Sequence, residues 1–512
     1  MKNCDVIFIN PNNSSGIYQG LSSKYSAIEP PTWSLLLAQS VRSIGFDPII
    51  IDTIAENMPD DLVYEKILNL KPRLICFVVY GQNVNAGTTN MSGATRLSNY
   101  LKAKGVECLI SFVGSHVQAL PLETLDKEDS IDFVFTNEGV YALRNILALE
   151  KIDTHSLENI NGIAYRKNNK SIFNLPERIV PPENMDTDLP GYAWDLLPYK
   201  EKPFDLYRSP MWHANYIQED RSPYAALQTS LGCQFGCNFC MINMINRNNN
   251  DEIGVAGNFS KMRFWSPNFI INEFKKLIDM GVTTIRIVDE MFLLNPKYYL
   301  PLCEMLADLN KDNKLTMWAY SRVDTIKRPG ILEMVRKAGI KWLCLGIESS
   351  QKNIRLEVSK GKFEDVDIHK VIEQVHEADI EVMANYIYGL PGDTKESIGK
   401  TLKLSKELNT SGWNTYAAMA LPGTQLYKNA IENNVPLPST YEGFSFHSYD
   451  TLPLPTDSLK ASEVLKLRDE AFIKYHTDEG FLKRISSKFG MNAVNNIKEM
   501  TKVKLKRRIL GD

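Results

Sequence analysis

Two series of short apolar runs, each run separated from the next by stretches with helical periodicity, constrain this chain more than any other feature. The first series is "CDVIFIN" (4–10), "DPIIID" (47–52), "LICFVVY" (74–80), "ECLISFVG" (107–114) and "DFVFTN" (132–137), with helical patterns such as "WSLLLAQSVRSIG" and "SGATRLSNYLKAKG" between runs. Runs apolar on both faces and alternating with helices predict a parallel sheet covered on both sides, a doubly wound α/β domain over residues 1–150. Such sheets bind ligands at the carboxyl ends of their strands. The small polar segments there are "NPNNSSG", which begins at Asn10, "YGQNVNAG" from Tyr80 and Gly81, "GSH" (Gly114, Ser115, His116) and "NEG" with Glu138 and Gly139.

The pattern stops at about residue 150. "LPERIVPPENMDTDLPGYAWDLLPY" carries too many prolines for a helix or a central strand, so 151–222 is expected to be a connecting segment that wraps rather than packs. Alternation resumes over 223–430 with "AALQTS" (225–230), "TTIRIVD" (283–289), "LTMWAYS" (315–321), "WLCLGIES" (342–349), "EVMANYIYG" (381–389) and "TYAAMAL" (415–421). Six strand-helix units in series predict a partial (β/α)6 barrel with its reactive groups on the loops leaving the strands. Residues 431–512 are expected to be helical, with "SLKASEVLKLRDEAFIKYH" the clearest amphipathic stretch; the terminal basic run "TKVKLKRRILGD" reads as a solvated helix face.

At 44% hydrophobic and 23% charged residues, with 58 basic and 61 acidic side chains, the chain has the balance of a globular protein and no general affinity for nucleic acid. No stretch approaches the roughly 20 apolar residues that span a bilayer, and "MKNCDVIFINPNN" lacks the apolar core of a signal peptide. A cytoplasmic location is therefore expected, where thiols stay reduced. Three of the eight cysteines crowd into "TSLGCQFGCNFC" as Cys233, Cys237 and Cys240, on the loop expected to leave the first barrel strand. In a reducing compartment this spacing points to a metal rather than to disulfides. Thiolates are soft ligands that favour zinc, copper(I) or iron–sulfur clusters, and three of them leave one coordination position open.

Cys233, Cys237, Phe239 and Cys240 form C-x3-C-x-aromatic-C, which resembles the signature of the radical S-adenosylmethionine (radical SAM) enzymes. In that family three cysteines hold a [4Fe–4S] cluster whose open iron is chelated by S-adenosylmethionine, and the reduced cluster splits the sulfonium to give a 5′-deoxyadenosyl radical. The resemblance extends to "IRIVDEMF" (Asp289, Glu290), "WAYSRVD" (Ser321, Arg322), "LGIESS" (Glu348, Ser349), "YIYGLPGDTKES" (Gly389) and "ALPGTQLY". These residues, with Phe239, are the contacts to S-adenosylmethionine that the resemblance implies.

A doubly wound domain ahead of such a barrel resembles the cobalamin-dependent subgroup, whose phrasing is matched by "PPTWSLLLAQSVRSIGFDPIIIDT", "VGSHVQALPLETL" and "IDFVFTNEGVYALRNIL". The resemblance implies cobalamin contacts at Asn10, Tyr80, Gly81, Gly114, Ser115, His116, Glu138 and Gly139. The chain has no D-x-H-x-x-G motif, so cobalamin would be held without that histidine; His116 reads as a loop hydrogen-bonding residue rather than a cobalt ligand. The function implied is C-methylation of an unactivated carbon in a small metabolite or a saccharide-type intermediate, with a low-potential donor such as flavodoxin or ferredoxin. Ring-forming enzymes share the architecture. Transfer RNA methylthiotransferases also join an α/β domain to this barrel, with three further cysteines; Cys4, Cys76 and Cys108 are the candidates for that role, but Cys76 and Cys108 fall inside apolar strands.

Overall fold

The computed structural model describes residues 4–80, 84–202, 206–209, 223–326, 330–359, 363 and 365–512. Strands β1 (Val6–Asn10), β2 (Pro48–Asp52), β3 (Leu74–Val78), β4 (Leu109–Val113) and β5 (Phe133–Phe135) follow the first series of apolar runs. Their side chains alternate between two cores. Val6, Phe8, Cys76 and Val78 enter the core shared with the rest of the chain, while Ile7, Ile9, Ile75 and Phe77 enter a second core on the opposite face. That is why neither face could be polar. The sheet order is β2-β1-β3-β4-β5, all parallel, so the winding direction reverses between β1 and β3 and the loops after those strands diverge.

The segment expected to be a connector contributes to this sheet instead. Strands β6 (Ile163–Lys167) and β7 (Lys170–Phe173) extend it antiparallel from β5. Asn168 and Asn169, both at positive φ, form the two-residue turn between them, the type I′ chemistry that suits a hairpin. Tyr192, Trp194 and Tyr199 further along the segment are buried; part of the segment, 210–222, lies outside the described residues.

The second sheet is fully parallel, in the order β8 (Tyr224–Leu227), β11 (Thr284–Ile287), β12 (Thr316–Arg322), β13 (Ile340–Glu348), β14 (Glu381–Tyr388) and β15 (Gly412–Ala417). It is an open barrel of six strands, as the sequence predicts, with β8 and β15 at its edges. The run "AALQTS" does not pass straight into the cysteine loop. It breaks after Leu227, and β9 (Ser230–Cys233) pairs antiparallel with β10 (Lys261–Phe264) in a separate ribbon. The cysteines therefore leave from this ribbon.

The C-terminal region is only partly helical. Residues 433–460 are largely irregular, the helices Ala461–His476 and Glu479–Thr501 follow, and the basic run is not a solvated helix face: Arg507 is buried and paired with Asp469 at 2.9 Å. The region returns to the first domain. Tyr441 Oη donates to Glu128 Oε1 at 2.8 Å, and Gln19 bonds the His447 carbonyl at 2.7 Å and the Lys506 amide at 3.0 Å. Among the described residues no helix is long and apolar enough to cross a membrane.

One buried ion pair joins the first sheet to the ribbon. Arg263 Nη2 on β10 donates to Glu138 Oε2 at 2.7 Å, with side-chain exposures of 0% and 1%. Arg263 also donates to the Val180 carbonyl and to Asn246 Oδ1, both at 2.8 Å, while Glu138 accepts from the Val180 amide. Removing one partner strands the other charge away from water. Glu138→Ala is expected to lower stability by about 3–5 kcal/mol, read as a drop in the urea midpoint, and the double variant Glu138→Leu/Arg263→Met is expected to recover part of that loss.

Candidate active site

The cysteine loop is fastened at both ends. At its base, Asp289, which follows β11, accepts from the Thr229 amide at 2.6 Å, Thr229 Oγ1 at 2.7 Å and Ser230 Oγ at 2.5 Å. Burial pushes the Asp289 carboxyl up to about 6. Gly232 has φ +80°, and a Cβ there would lie 2.1 Å from the Lys261 carbonyl, so β9 can lie on β10 only with glycine at this position. Asn243 then braces the turn, accepting from the Cys233 amide at 2.8 Å and donating to the Phe235 carbonyl at 3.0 Å. At the far side, the Asn238 amide bonds the Val358 carbonyl at 2.9 Å and its carbonyl accepts from Leu426 at 3.0 Å.

Cys233 is buried, Cys237 and Cys240 are half-buried, and no cysteine of the chain is in a disulfide. Burial pushes the Cys233 thiol up to about 12 and Cys237 to about 11, and raises Cys240 well above its ordinary value. Metal-free, the loop thus stores three thiols, and ligation would be coupled to loss of their protons. Among the described residues no three His, Cys, Asp or Glu side chains are gathered closely enough to hold a single ion. A four-iron cluster offers a separate corner to each thiolate, and an all-sulfur set of three suits the donor preference of such a cluster.

Around the thiols stand the ends of the barrel strands. The Arg322 guanidinium sits 3.9 Å from the Phe235 ring centroid, holds Asp324 through Nε at 2.9 Å and Nη2 at 2.6 Å, and lies beside Cys237. Glu348 is a residue other than glycine at φ +65°, at a bulge where β13 slips register against β14. Gly346 makes room for its carboxylate, since a Cβ there would meet Glu348 Oε1 at 2.5 Å. A left-handed backbone of this kind costs about 1–3 kcal/mol and re-aims the side chain. Burial pushes the Glu348 and Glu290 carboxyls up to about 7. After burial, Glu290 adds to the raising of the Cys233 and Cys240 thiols and Glu348 to that of Cys237, so two acids border the three thiols.

Other expected contacts have different partners. Both Asp289 oxygens are spent on the cysteine strand. Ser321 Oγ bonds Thr325 at 2.7 Å, and Ser349 accepts from the Gln351 amide at 3.2 Å and holds Arg355 through its carbonyl at 2.7 Å. Gly389, at φ +83°, gives its amide to Asp393 at 3.0 Å, and a Cβ there would strike Val464. Phe239 packs into an apolar cluster with Ile354, Val358, Ile387, Leu390 and Ala418.

The crest of the first sheet lies directly on the cysteine region. The Glu138 amide bonds the Ile245 carbonyl at 3.1 Å, Gly254 bonds Ala119 at 3.1 Å, and Asn85 accepts from the Met241 amide at 2.8 Å. Of the residues expected to contact cobalamin, Asn10 bonds Asp52 at 2.8 Å and Tyr80 accepts from Gln118 at 2.5 Å. Gly114 abuts the Val79 carbonyl, 2.2 Å from where its Cβ would be, and Ser115 Oγ bonds the Val84 carbonyl at 2.5 Å. Burial pushes the His116 imidazole down to about 3, and its Nδ1 lies 3.2 Å from Thr88 Oγ1. Gly139 caps the helix Val140–Leu147 at φ +80°. Glu138 has other partners: each of its oxygens accepts a bond within the ion-pair network. Gly81 lies outside the described residues. Sequence reasoning missed Asn85 and Arg263, which carry the contact between the two domains; "NVN" in a crest loop was the available signal for the first, and an arginine in the strand-like "KMRF" for the second. Cys4 packs in one core of the first sheet with Cys108 against it, and Cys76 packs in the other, so these three do not share a site.

Residues 227–405 match the model of the radical SAM superfamily. This segment, which spans the cysteine loop and most of the barrel, is similar to that superfamily. It is 25% identical over 481 residues to an uncharacterized methyltransferase of Pyrococcus horikoshii, covering 93% of each chain. It is also 22% identical over 438 residues to the anaerobic magnesium-protoporphyrin IX monomethyl ester cyclase of Cereibacter sphaeroides, covering 83% of this chain and 63% of the relative. Among solved structures, the radical SAM methyltransferase TsrM of Kitasatospora setae, with cobalamin and a [4Fe–4S] cluster bound, superposes with a TM-score of 0.65 at 12% identity, covering 98% of this chain and all of that one. The fold is thus shared over both domains.

Placing the three cysteines on a braced loop has a measurable consequence. Because the loop is held by Asn238, Asn243 and Asp289 rather than by the thiols, Cys237→Ala is expected to keep the far-ultraviolet circular dichroism of the parent. It is expected to lose most cluster-bound iron and the accompanying visible absorbance after anaerobic reconstitution.

Proposed function

We propose that this radical SAM protein holds a [4Fe–4S] cluster on Cys233, Cys237 and Cys240 and cobalamin at the crest of its first sheet, and that it methylates an unactivated carbon of a small molecule. The observation that carries this reading is the seating of the crest on the cysteine loop, through Asn85 to Met241, Glu138 to Ile245 and Ala119 to Gly254. Groups held on the two sides would share one enclosed space. When bound, the cluster supplies the low-potential electron that cleaves S-adenosylmethionine, and cobalamin supplies a carrier for methyl.

The residues of the chain would bind and orient. The bulge that aims Glu348 presents a carboxylate to the ammonium or ribose hydroxyls of S-adenosylmethionine, with Glu290 a second acceptor. Phe239, Ile387 and Leu390 offer an apolar wall for adenine. Arg322 supplies a fixed positive charge beside Cys237. At the crest, Gly114 and Ser115 press the backbone close at the ends of β3 and β4, where doubly wound sheets take their ligands. The functional units would be the first sheet with its hairpin, the barrel over 223–430 and the C-terminal region over 431–512 that closes back on the first. A flavodoxin or ferredoxin would deliver the electron.

Likeness to the Cereibacter sphaeroides cyclase supports ring formation as the second reading. Anaerobic reconstitution with iron, sulfide and hydroxocobalamin, followed by addition of S-adenosylmethionine, a low-potential reductant and candidate substrates, separates the two. Equal yields of 5′-deoxyadenosine and S-adenosylhomocysteine are expected for methylation, whereas deoxyadenosine without homocysteine would indicate ring formation. Wild-type protein that takes up no cluster would overturn both. Glu348→Gln is expected to weaken S-adenosylmethionine binding about tenfold, equivalent to about 1.4 kcal/mol, in equilibrium dialysis of reconstituted protein with unchanged iron content.

A further inference from the structure

Asn85 stands on the first domain, yet its side chain ends on a cluster cysteine. Its Oδ1 accepts from the Met241 amide at 2.8 Å and its Nδ2 points at Cys240 Sγ at 3.9 Å. One carboxamide thus grips the backbone immediately after Cys240 and offers an N–H to the sulfur of Cys240 itself. The turn that carries it, Val84–Ala86, is fixed to the crest from several sides. Ser115 Oγ donates to the Val84 carbonyl at 2.5 Å, and Thr89 Oγ1 donates to the Ala86 carbonyl at 2.8 Å. Gly87 closes the turn, since a Cβ there would lie 2.1 Å from Ser115 Oγ and 2.9 Å from the Val79 carbonyl. The amide is therefore aimed by a rigid framework.

We infer that Asn85 is a positioning residue that tunes the reduction potential of the cluster from the opposite domain, through the N–H it gives to the Cys240 thiolate. This rests on the assignment of Cys240 as a cluster ligand and is independent of cobalamin. A hydrogen bond to a cluster sulfur stabilises the state with more negative charge, which is the reduced state. Losing it makes the cluster harder to reduce. Cys233 and Cys237 are placed differently: Cys233 Sγ accepts from the Phe235 amide at 3.4 Å, within its own loop, and Cys237 lies beside Arg322 from the barrel. Cys240 is thus the cysteine that faces a side-chain N–H of the first domain.

The test is a redox titration of the reconstituted cluster followed by electron paramagnetic resonance, with iron content measured in parallel. Asn85→Leu removes donor and acceptor, and Asn85→Gln keeps a carboxamide. The expected result is a midpoint shifted to more negative potential in Asn85→Leu, a smaller shift in Asn85→Gln, and full iron in both. Midpoints equal to wild type at full iron would overturn the inference while leaving the cluster assignment intact, whereas a wild-type protein without cluster would overturn the assignment first. If Asn85→Leu fails to load iron, Asn85→Ser, which leaves the loop less crowded, decides: a wild-type midpoint there counts against tuning and a lowered one supports it.

Discussion

The buried pair of Glu138 and Arg263 is the contact on which the arrangement of this molecule depends. Two charges withdrawn from water are expensive, and their mutual attraction offsets that expense only when every remaining polar atom nearby is engaged. Here the surrounding bonds to Val180, Asn246 and the backbone meet much of that demand. The pair joins the fifth strand's exit in one domain to the ribbon that carries the cysteines in the other. A second buried pair, Arg286 with Glu29, repeats the arrangement across the barrel mouth. Apolar contact alone would hold the two domains together in many registers; buried ion pairs select one.

That fixed register explains how the cysteine region can be both short of regular structure and exact. The loop gains little from secondary structure, so its shape comes from side chains bonded to backbone: Asn243, Asn246 and Asp289. The opposite device operates at Glu348, where a regular strand is interrupted and a residue with a side chain is held in a left-handed backbone. Strain there is tolerated because β12 and β14 hold β13 on both sides.

The parallel strands were legible because burial on both faces leaves an apolar run that needs no context, as in "VIFIN" and "LICFV". The three cysteines and the order of strand-end motifs were legible for a chemical reason, since soft ligands at tight spacing have few other uses. The hairpin at 163–173 was hidden because its outer strand is half-exposed and its charged ends resemble a loop; its Asn-Asn turn was the signal. The ion pair of Glu138 was not legible because an acid at a strand crest looks the same whether it faces a ligand or a distant arginine, and only the fold brings Arg263 to it. Asp289 was read as a contact to S-adenosylmethionine from its place at a strand end, and its oxygens turn toward Thr229 and Ser230.

An open barrel has two unpaired borders, and an unpaired strand invites another strand to add to it, whether from a partner or from a second copy of the same chain. The helix Ala461–His476 answers this at β15. Arg468 gives its Nε–H to the Thr415 carbonyl at 2.9 Å, and Tyr475 gives its hydroxyl to the Thr410 carbonyl just before the strand at 2.9 Å. Carbonyls that could template a seventh strand are occupied by side chains, while Trp413 stacks on Tyr475 over the same border. The helix Ala461–His476 thus acts as a guard against self-association, and the chain keeps its barrel open for chemistry without leaving β15 open for aggregation.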